Sequence, residues 1–171
     1  MSEKDTTTSS APTPAPSPME LVLQFHHTYS VPIRPFSDPT LDYERMNMRM
    51  SLIAEEFAEL MGAVYGPRAR AIIEAATIEA VAADEGERDV IEAADALADL
   101  VYVVYGMAIE SGMNLDSVLA EVQASNLSKL MPDGSVKLRE DGKVLKGPNF
   151  FQPNIARGLG LESPTDGSDA D

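Results

Sequence analysis

Through the middle of the chain, apolar residues recur at helical rather than strand spacing. Met19 to Thr28 is a short amphipathic segment carrying Leu21, Leu23 and Phe25. Pro32, Pro35 and Pro39 then impose an extended loop. Thr40 or Asp42 can cap a helix that runs to about Tyr65, where Gly66-Pro67 stops it. Arg68 to Ala83 is rich in Ala and Ile and reads as helix, and Asp84-Glu85-Gly86-Glu87 breaks it. Asp89 to Glu110 carries the strongest helical signal, with Gly112 as its stop. Asn114 or Asp116 opens another helix, from Leu115 to about Leu130. Strand character appears only in Ser135-Val136-Lys137-Leu138, between the turn dipeptides Asp133-Gly134 and Asp141-Gly142. Pro148 and Pro153 mark an irregular arm. The pattern predicts an all-α fold, a helical bundle of about four to five helices with a short irregular or hairpin C-terminal arm.

The flanks differ from this middle. Residues 1–18 hold four Pro, four Thr and four Ser, too little apolar surface to offset the entropy of ordering, and are expected to be a disordered tail. Residues 157–171 read as a flexible acidic tail, which leaves 19–156 as the folded domain. That domain holds 11 bases against 22 acids, and the whole chain of 171 residues carries a formal charge of −15. Such a surface repels phosphate backbones and anionic bilayers, which argues against a nucleic-acid polymer or a membrane as partner. No apolar stretch approaches the roughly 18 residues of a membrane span. The chain has no Cys and two His, adjacent at His26 and His27, which excludes thiol chemistry and the usual zinc cages. With no secretory apolar run in the tail, the expected compartment is cytoplasmic.

The informative feature is where the acids sit. In Leu52-Ile53-Ala54-Glu55-Glu56-Phe57-Ala58-Glu59-Leu60, Glu55, Glu56 and Glu59 are spaced three and four apart and share a helix face beside an apolar stripe. From Val90 to Ile109 the only charged residues are Glu92, Asp95 and Asp99. At about 100° per residue they span an arc of about 60° on a helix apolar nearly all round. Such a helix is expected to be buried. Buried carboxylates without partners are costly, and neither stretch contains Lys or Arg. Five or six acids converging between two apolar helices call for a cation, and oxygen-only ligation suits Mg²⁺ or Mn²⁺. The plainer alternative is a solvated acidic face, with Asp95 paired to a distant Arg.

Residues 129–146 supply a charge complement. They hold five bases (Lys129, Lys137, Arg139, Lys143 and Lys146) against three acids, whereas residues 42–121 hold 5 bases against 17 acids. An acidic metal face followed by a basic arm suits a metal-bound polyphosphate. Asn126 and Lys129, three apart at a helix end, can reach a base or ribose and a phosphate. Tyr102 and Tyr105 read as core residues, and Phe25 and His26 as an amphipathic face, with covering a base as the alternative.

Glu55-Glu56-Phe57-Ala58-Glu59 resembles the EExxE motif of the MazG-like, all-α nucleoside triphosphate pyrophosphatases, a superfamily that includes the dimeric dUTPases and phosphoribosyl-ATP pyrophosphohydrolase. The run from Asp95 to Gly106 is similar to its second acidic helix. Glu121 to Lys129 resembles the helix end that contacts nucleotide, and Asp141 to Asn149 the arm that follows. The resemblance covers about 19–156. One departure stands out. The family's second motif is ExxD, yet Ala96 occupies the Glu position before Asp99, so Glu92 or Asp95 must fill that role.

The resemblance implies a divalent-metal-dependent pyrophosphohydrolase that cleaves a (deoxy)nucleoside triphosphate, dUTP and dCTP foremost, to monophosphate and pyrophosphate. It implies Glu56, Glu59, Asp95, Asp99 and Glu92 as metal ligands, with Glu55 or Glu56 as the base. Asn126, Lys129, Lys143 and Lys146 would bind substrate. A homodimer or homotetramer is expected, because so few helices cannot enclose two apolar, acid-bearing faces. The alternatives are a phosphoribosyl-ATP pyrophosphohydrolase-like enzyme, a non-catalytic metal-binding helical bundle, or an acidic module that binds a basic partner. The bundle reading is weakened by the absence of any Glu-x-x-His pair.

Overall fold

The computed structural model describes residues 15–138 and 144–162. The predicted tail over 1–18 lies outside the described residues up to position 14, as does the acidic tail from 163 onward. Six helices occur among the described residues: α1 (Pro18–Thr28), α2 (Tyr43–Tyr65), α3 (Pro67–Ala82), α4 (Val90–Glu110), α5 (Leu115–Leu127) and α6 (Ile155–Gly158). The hairpin expected in the arm reduces, among these residues, to one antiparallel bridge between Leu138 and Val144. The fold is all-α, as the periodicity predicts. No described helix is long and apolar enough to cross a membrane. The chain forms two compact units, one from Met1–Ile33 with Val104–Asp171 and one from Arg34–Val103.

In the first unit, Ser17 and Glu20 cap each other reciprocally at the start of α1. Helix α1 packs on α5. Tyr29, buried at 3% exposure, ties the two together. Its hydroxyl donates to the carbonyls of Asn126 and Leu127 at 2.6 and 3.2 Å. Gln123 donates to Gln24 at 3.0 Å beside it. Helix α6, absent from the sequence prediction, packs on α5 so closely that a Cβ on Gly158 would lie 3.0 Å from the Val118 backbone. Arg157 clamps it by two 2.7 Å hydrogen bonds to Glu121, holding that carboxylate below its ordinary pKa. Order therefore runs past position 156.

In the second unit, α2 and α3 form a tight helical hairpin. Asp42 caps α2, as one of the two predicted caps. Gly66 turns the chain at φ 95°, a left-handed conformation that side chains disfavour, and Pro67 restarts the helix in its first turn. A Cβ on Gly62 would sit 3.1 Å from the Arg70 Cβ, so glycine permits the approach of the two helices. The predicted break at 84–87 is closed by Arg88, which donates twice to Asp84 and lies 5.0 Å over the Tyr43 ring. Arg88 lowers the Asp84 pKa to about 2. Asp89 caps the amides of Ile91 and Glu92 at the start of α4.

Among the described residues most of α4 is exposed rather than buried. Ile91 is 85% exposed and Tyr102 81%, which corrects the core role expected of Tyr102. Helices α2 and α3 pack against each other, whereas α4, whose residues fall in both units, has no comparable packing against another described helix. Among the described residues the buried apolar set is Tyr29, Ala58 and Ala108. Periodicity reports how many faces of a helix are apolar; it does not report which surface covers them.

Candidate active site

Helix α2 presents Glu55, Glu56 and Glu59 at exposed positions on the face the sequence predicts. Glu59 accepts a hydrogen bond from Arg70 of α3 at 3.2 Å, and the same guanidinium donates to Glu74 at 2.7 Å. These carboxylates, Glu74 foremost, raise the Arg70 pKa. The cation beside the first acidic face thus comes from the next helix, across the contact that Gly62 permits. Eleven residues separate Glu59 from Arg70 in sequence, so helical spacing within α2 does not reveal the pair.

On α4, Glu92, Asp95 and Asp99 are also exposed. The two acidic faces, expected from the sequence to converge in the interior, lie at exposed positions among the described residues. No group of three or more acids among the described residues lies close enough to hold a metal ion. The donor chemistry still fits a hard cation, since every candidate ligand offers carboxylate oxygens and no soft atom competes.

At the C-terminal end of α5 the structure joins Asn126 and Lys129. The Lys129 ammonium donates to the Asn126 side-chain carbonyl at 2.7 Å. Burial, and secondarily the charge of Lys146, push the Lys129 pKa down. Lys146 lies 4.3 Å over the Phe150 ring. The arm reaches this place because it is stitched to α5. The Gly147 amide donates to the Lys129 carbonyl at 3.0 Å. Ser125 donates to the Phe151 carbonyl at 2.7 Å, and the Phe151 amide donates to the Ser128 hydroxyl at 3.1 Å. Lys143 and Arg139 lie outside the described residues.

Phe25 stacks on Tyr29 with ring centroids 4.5 Å apart, so it supports the α1–α5 contact. His26 meets the Pro32 carbonyl at 3.1 Å. Tyr105 donates to Asp116 at 2.8 Å, and burial raises its pKa. Tyr29, Ser125, Ser128 and Phe150 were not singled out by sequence. Each acts through a partner 4 to 97 residues away, and none belongs to a charged or periodic pattern.

The chain is similar to known proteins in sequence and fold. Residues 22–126 match the family described as phosphoribosyl-ATP pyrophosphohydrolase, a span from α1 through Asn126 that includes both acidic helices. A solved structure from Exiguobacterium sp. 255-15, described as that of a candidate NTP pyrophosphohydrolase, superposes with a TM-score of 0.63. It is 28% identical, and the match covers 81% of this chain and 89% of that one. No curated protein matches. The chain belongs to the phosphoribosyl-ATP pyrophosphohydrolase family, within the MazG-like all-α nucleotide pyrophosphohydrolases, and is an enzyme of that class.

Proposed function

We propose that this enzyme is a divalent-metal-dependent hydrolase that adds water across the α,β-anhydride of a (deoxy)nucleoside triphosphate. The products are the monophosphate and pyrophosphate. The observation that carries the reading is that one family match spans both acidic faces and ends on Asn126. The match to the solved structure covers more of the chain than the family match does, which favours a triphosphate; dUTP and dCTP are the candidates that the sequence resemblance suggests. The family description itself favours phosphoribosyl-ATP as the second reading, and that substrate carries the same anhydride.

Glu56, Glu59, Asp95 and Asp99, with Glu92, would hold Mg²⁺ or Mn²⁺. Bound there, the ion supplies charge neutralisation of the polyphosphate and acidifies a water. Glu55 or Glu56 would take the proton of the attacking water as its oxygen joins phosphorus and the bridging oxygen leaves with pyrophosphate. General-base help of this kind contributes about 10²- to 10⁴-fold. Lys129 and Lys146, with Lys143, hold phosphate oxygens, and Asn126 orients Lys129 and offers its amide to the base or sugar.

The working form is a homodimer or homotetramer. Ile91, Val101, Tyr102, Val103 and Ile109 of α4 are 85%, 58%, 81%, 61% and 74% exposed, an apolar surface that a second copy would cover. Covering it would also enclose the acids of the same helix.

The test is pyrophosphate release from dUTP, dCTP, dTTP, the ribonucleotides and phosphoribosyl-ATP, with Mg²⁺ and with Mn²⁺. Turnover of one or a few is expected. Silence across the panel with both metals overturns the reading. A melting temperature unmoved by Mn²⁺ would favour the basic-partner module instead.

A further inference from the structure

Two cations on α2 have no role in the scheme above. Arg45 and Arg49 are four residues apart, and Glu56 and Glu59 follow Arg49 at seven and ten residues. At about 100° per residue these four fall within an arc of about 80° on the helix. The acid face and the two arginines are therefore one stripe, with the basic end about 10 Å along the axis from Glu56. They are the only bases of the 23-residue helix.

Both arginines are half-buried. Two like charges at this spacing on one face oppose helix formation. Burial further depresses the Arg49 pKa, and the Arg45 charge adds to the effect. On a chain of net charge −15, two half-buried guanidiniums in line with an acidic helix face offer an anion a place to bind. Guanidinium suits phosphate, since it stays charged and offers planar, two-pronged hydrogen bonding.

We propose that Arg45 and Arg49 anchor the distal phosphates, holding the pyrophosphate end of the substrate toward the N-terminal end of α2 while the anhydride to be cleaved lies at the carboxylates. The proposal rests on the hydrolase reading and gives it a direction: substrate lies along the α2 stripe, nucleoside end farthest from the arginines.

The test compares the full chain with Arg45→Ala, Arg49→Ala, Arg49→Gln and, as a control on α3, Arg68→Ala. Binding of inorganic pyrophosphate and of dUMP is measured by calorimetry in Mg²⁺, with helical content and oligomeric state followed in parallel. Each change at Arg45 or Arg49 is expected to weaken pyrophosphate about tenfold or more, leaving dUMP and the control within about twofold. If Arg49→Ala loses helix, Arg49→Gln carries the test, because it keeps much of the stem and removes the charge. Wild-type pyrophosphate affinity in folded variants overturns the anchor. So does an equal loss for dUMP, or a loss that only follows dissociation of the oligomer. A wild type that turns over nucleotide while the variants keep its pyrophosphate affinity sinks the anchor alone. Arginine-dependent pyrophosphate binding by a wild type silent on every nucleotide supports the anion site and sinks the hydrolase reading.

Discussion

Glu59→Gln separates a structural acid from a chemical one, because its structural cost can be bounded. Among the described residues Glu59 pairs with Arg70 at 3.2 Å, with the two side chains 51% and 43% exposed. Exposed pairs of this kind contribute about 0–1 kcal/mol. Gln keeps the shape and an oxygen that can still accept from Arg70, and Arg70 retains its shorter 2.7 Å pair with Glu74. The stability loss should therefore stay under about 1 kcal/mol, a shift of about 2–4 °C at most for a chain of this size. If Glu59 holds the metal, turnover should fall about a hundredfold or more, equivalent to about 2.7 kcal/mol of barrier. The two effects differ enough in size to be read apart by thermal melting and pyrophosphate release on the same samples. Glu74→Gln is the control: it breaks the other half of the Arg70 pair, and should lower the melting temperature comparably while leaving turnover unchanged. Equal loss of activity in both variants would show that Arg70 geometry, not a Glu59 ligand, supports the reaction. Activity that falls only in step with helical content would show that the acid is structural.

Two further outcomes concern the basic arm. A Cβ on Gly147 would collide with the Leu130 carbonyl oxygen and lie 3.0 Å from that of Lys129, so Gly147→Ala must displace backbone. The cost should be about 1–3 kcal/mol, seen as faster amide exchange at 147–151 and a raised KM with α1–α5 protection retained; wild-type exchange in the arm would refute the stitching. Lys129 has a folded pKa below its ordinary 10.5, so its charged form is disfavoured by folding, and this cost to stability is relieved as pH rises through the folded pKa. If Lys129 holds a substrate phosphate, that affinity should be lost over the same range. Lys146→Gln removes the secondary, like-charge cause and should move the alkaline limb of 1/KM to higher pH, whatever happens to the plateau; an unmoved limb would place Lys129 outside the substrate site.

Legibility followed the range of each cause. Asp42, Gly66-Pro67 and Gly112 act on their own neighbours, and the helix ends they predict lie within a residue or two of those observed. The end of α5 was overestimated by three residues, because Ser128 leaves the helix to serve the arm, accepting from the Phe151 amide. Helix α6 was missed for the same reason. Four residues carry no periodicity, and what holds them is Asn154 at the cap and an Arg157–Glu121 pair 36 residues apart. The Asn126–Lys129 pair was readable because its spacing of three is helical; the Lys146–Phe150 stack that flanks it depends on a loop returning to α5.

The same reasoning explains why the acidic faces were legible as faces but not as a site. Position along α2 and α4 follows from helical spacing, so Glu55, Glu56 and Glu59, and Glu92, Asp95 and Asp99, could each be grouped in advance. Meeting of the groups depends on what covers α4, and α4 is apolar on faces that its own unit leaves open. An exposed helix of this kind is unfavourable in water, since each buried aliphatic or aromatic side chain is worth about 1.5–3 kcal/mol. Covering it would draw the acids of the same helix out of solvent, where their repulsion strengthens. If the chain assembles through α4, the acids would oppose assembly without a cation and a bound cation would favour it. The oligomer should tighten when Mn²⁺ is added and loosen when a chelator removes it, a coupling that a merely solvated acidic face has no means to produce.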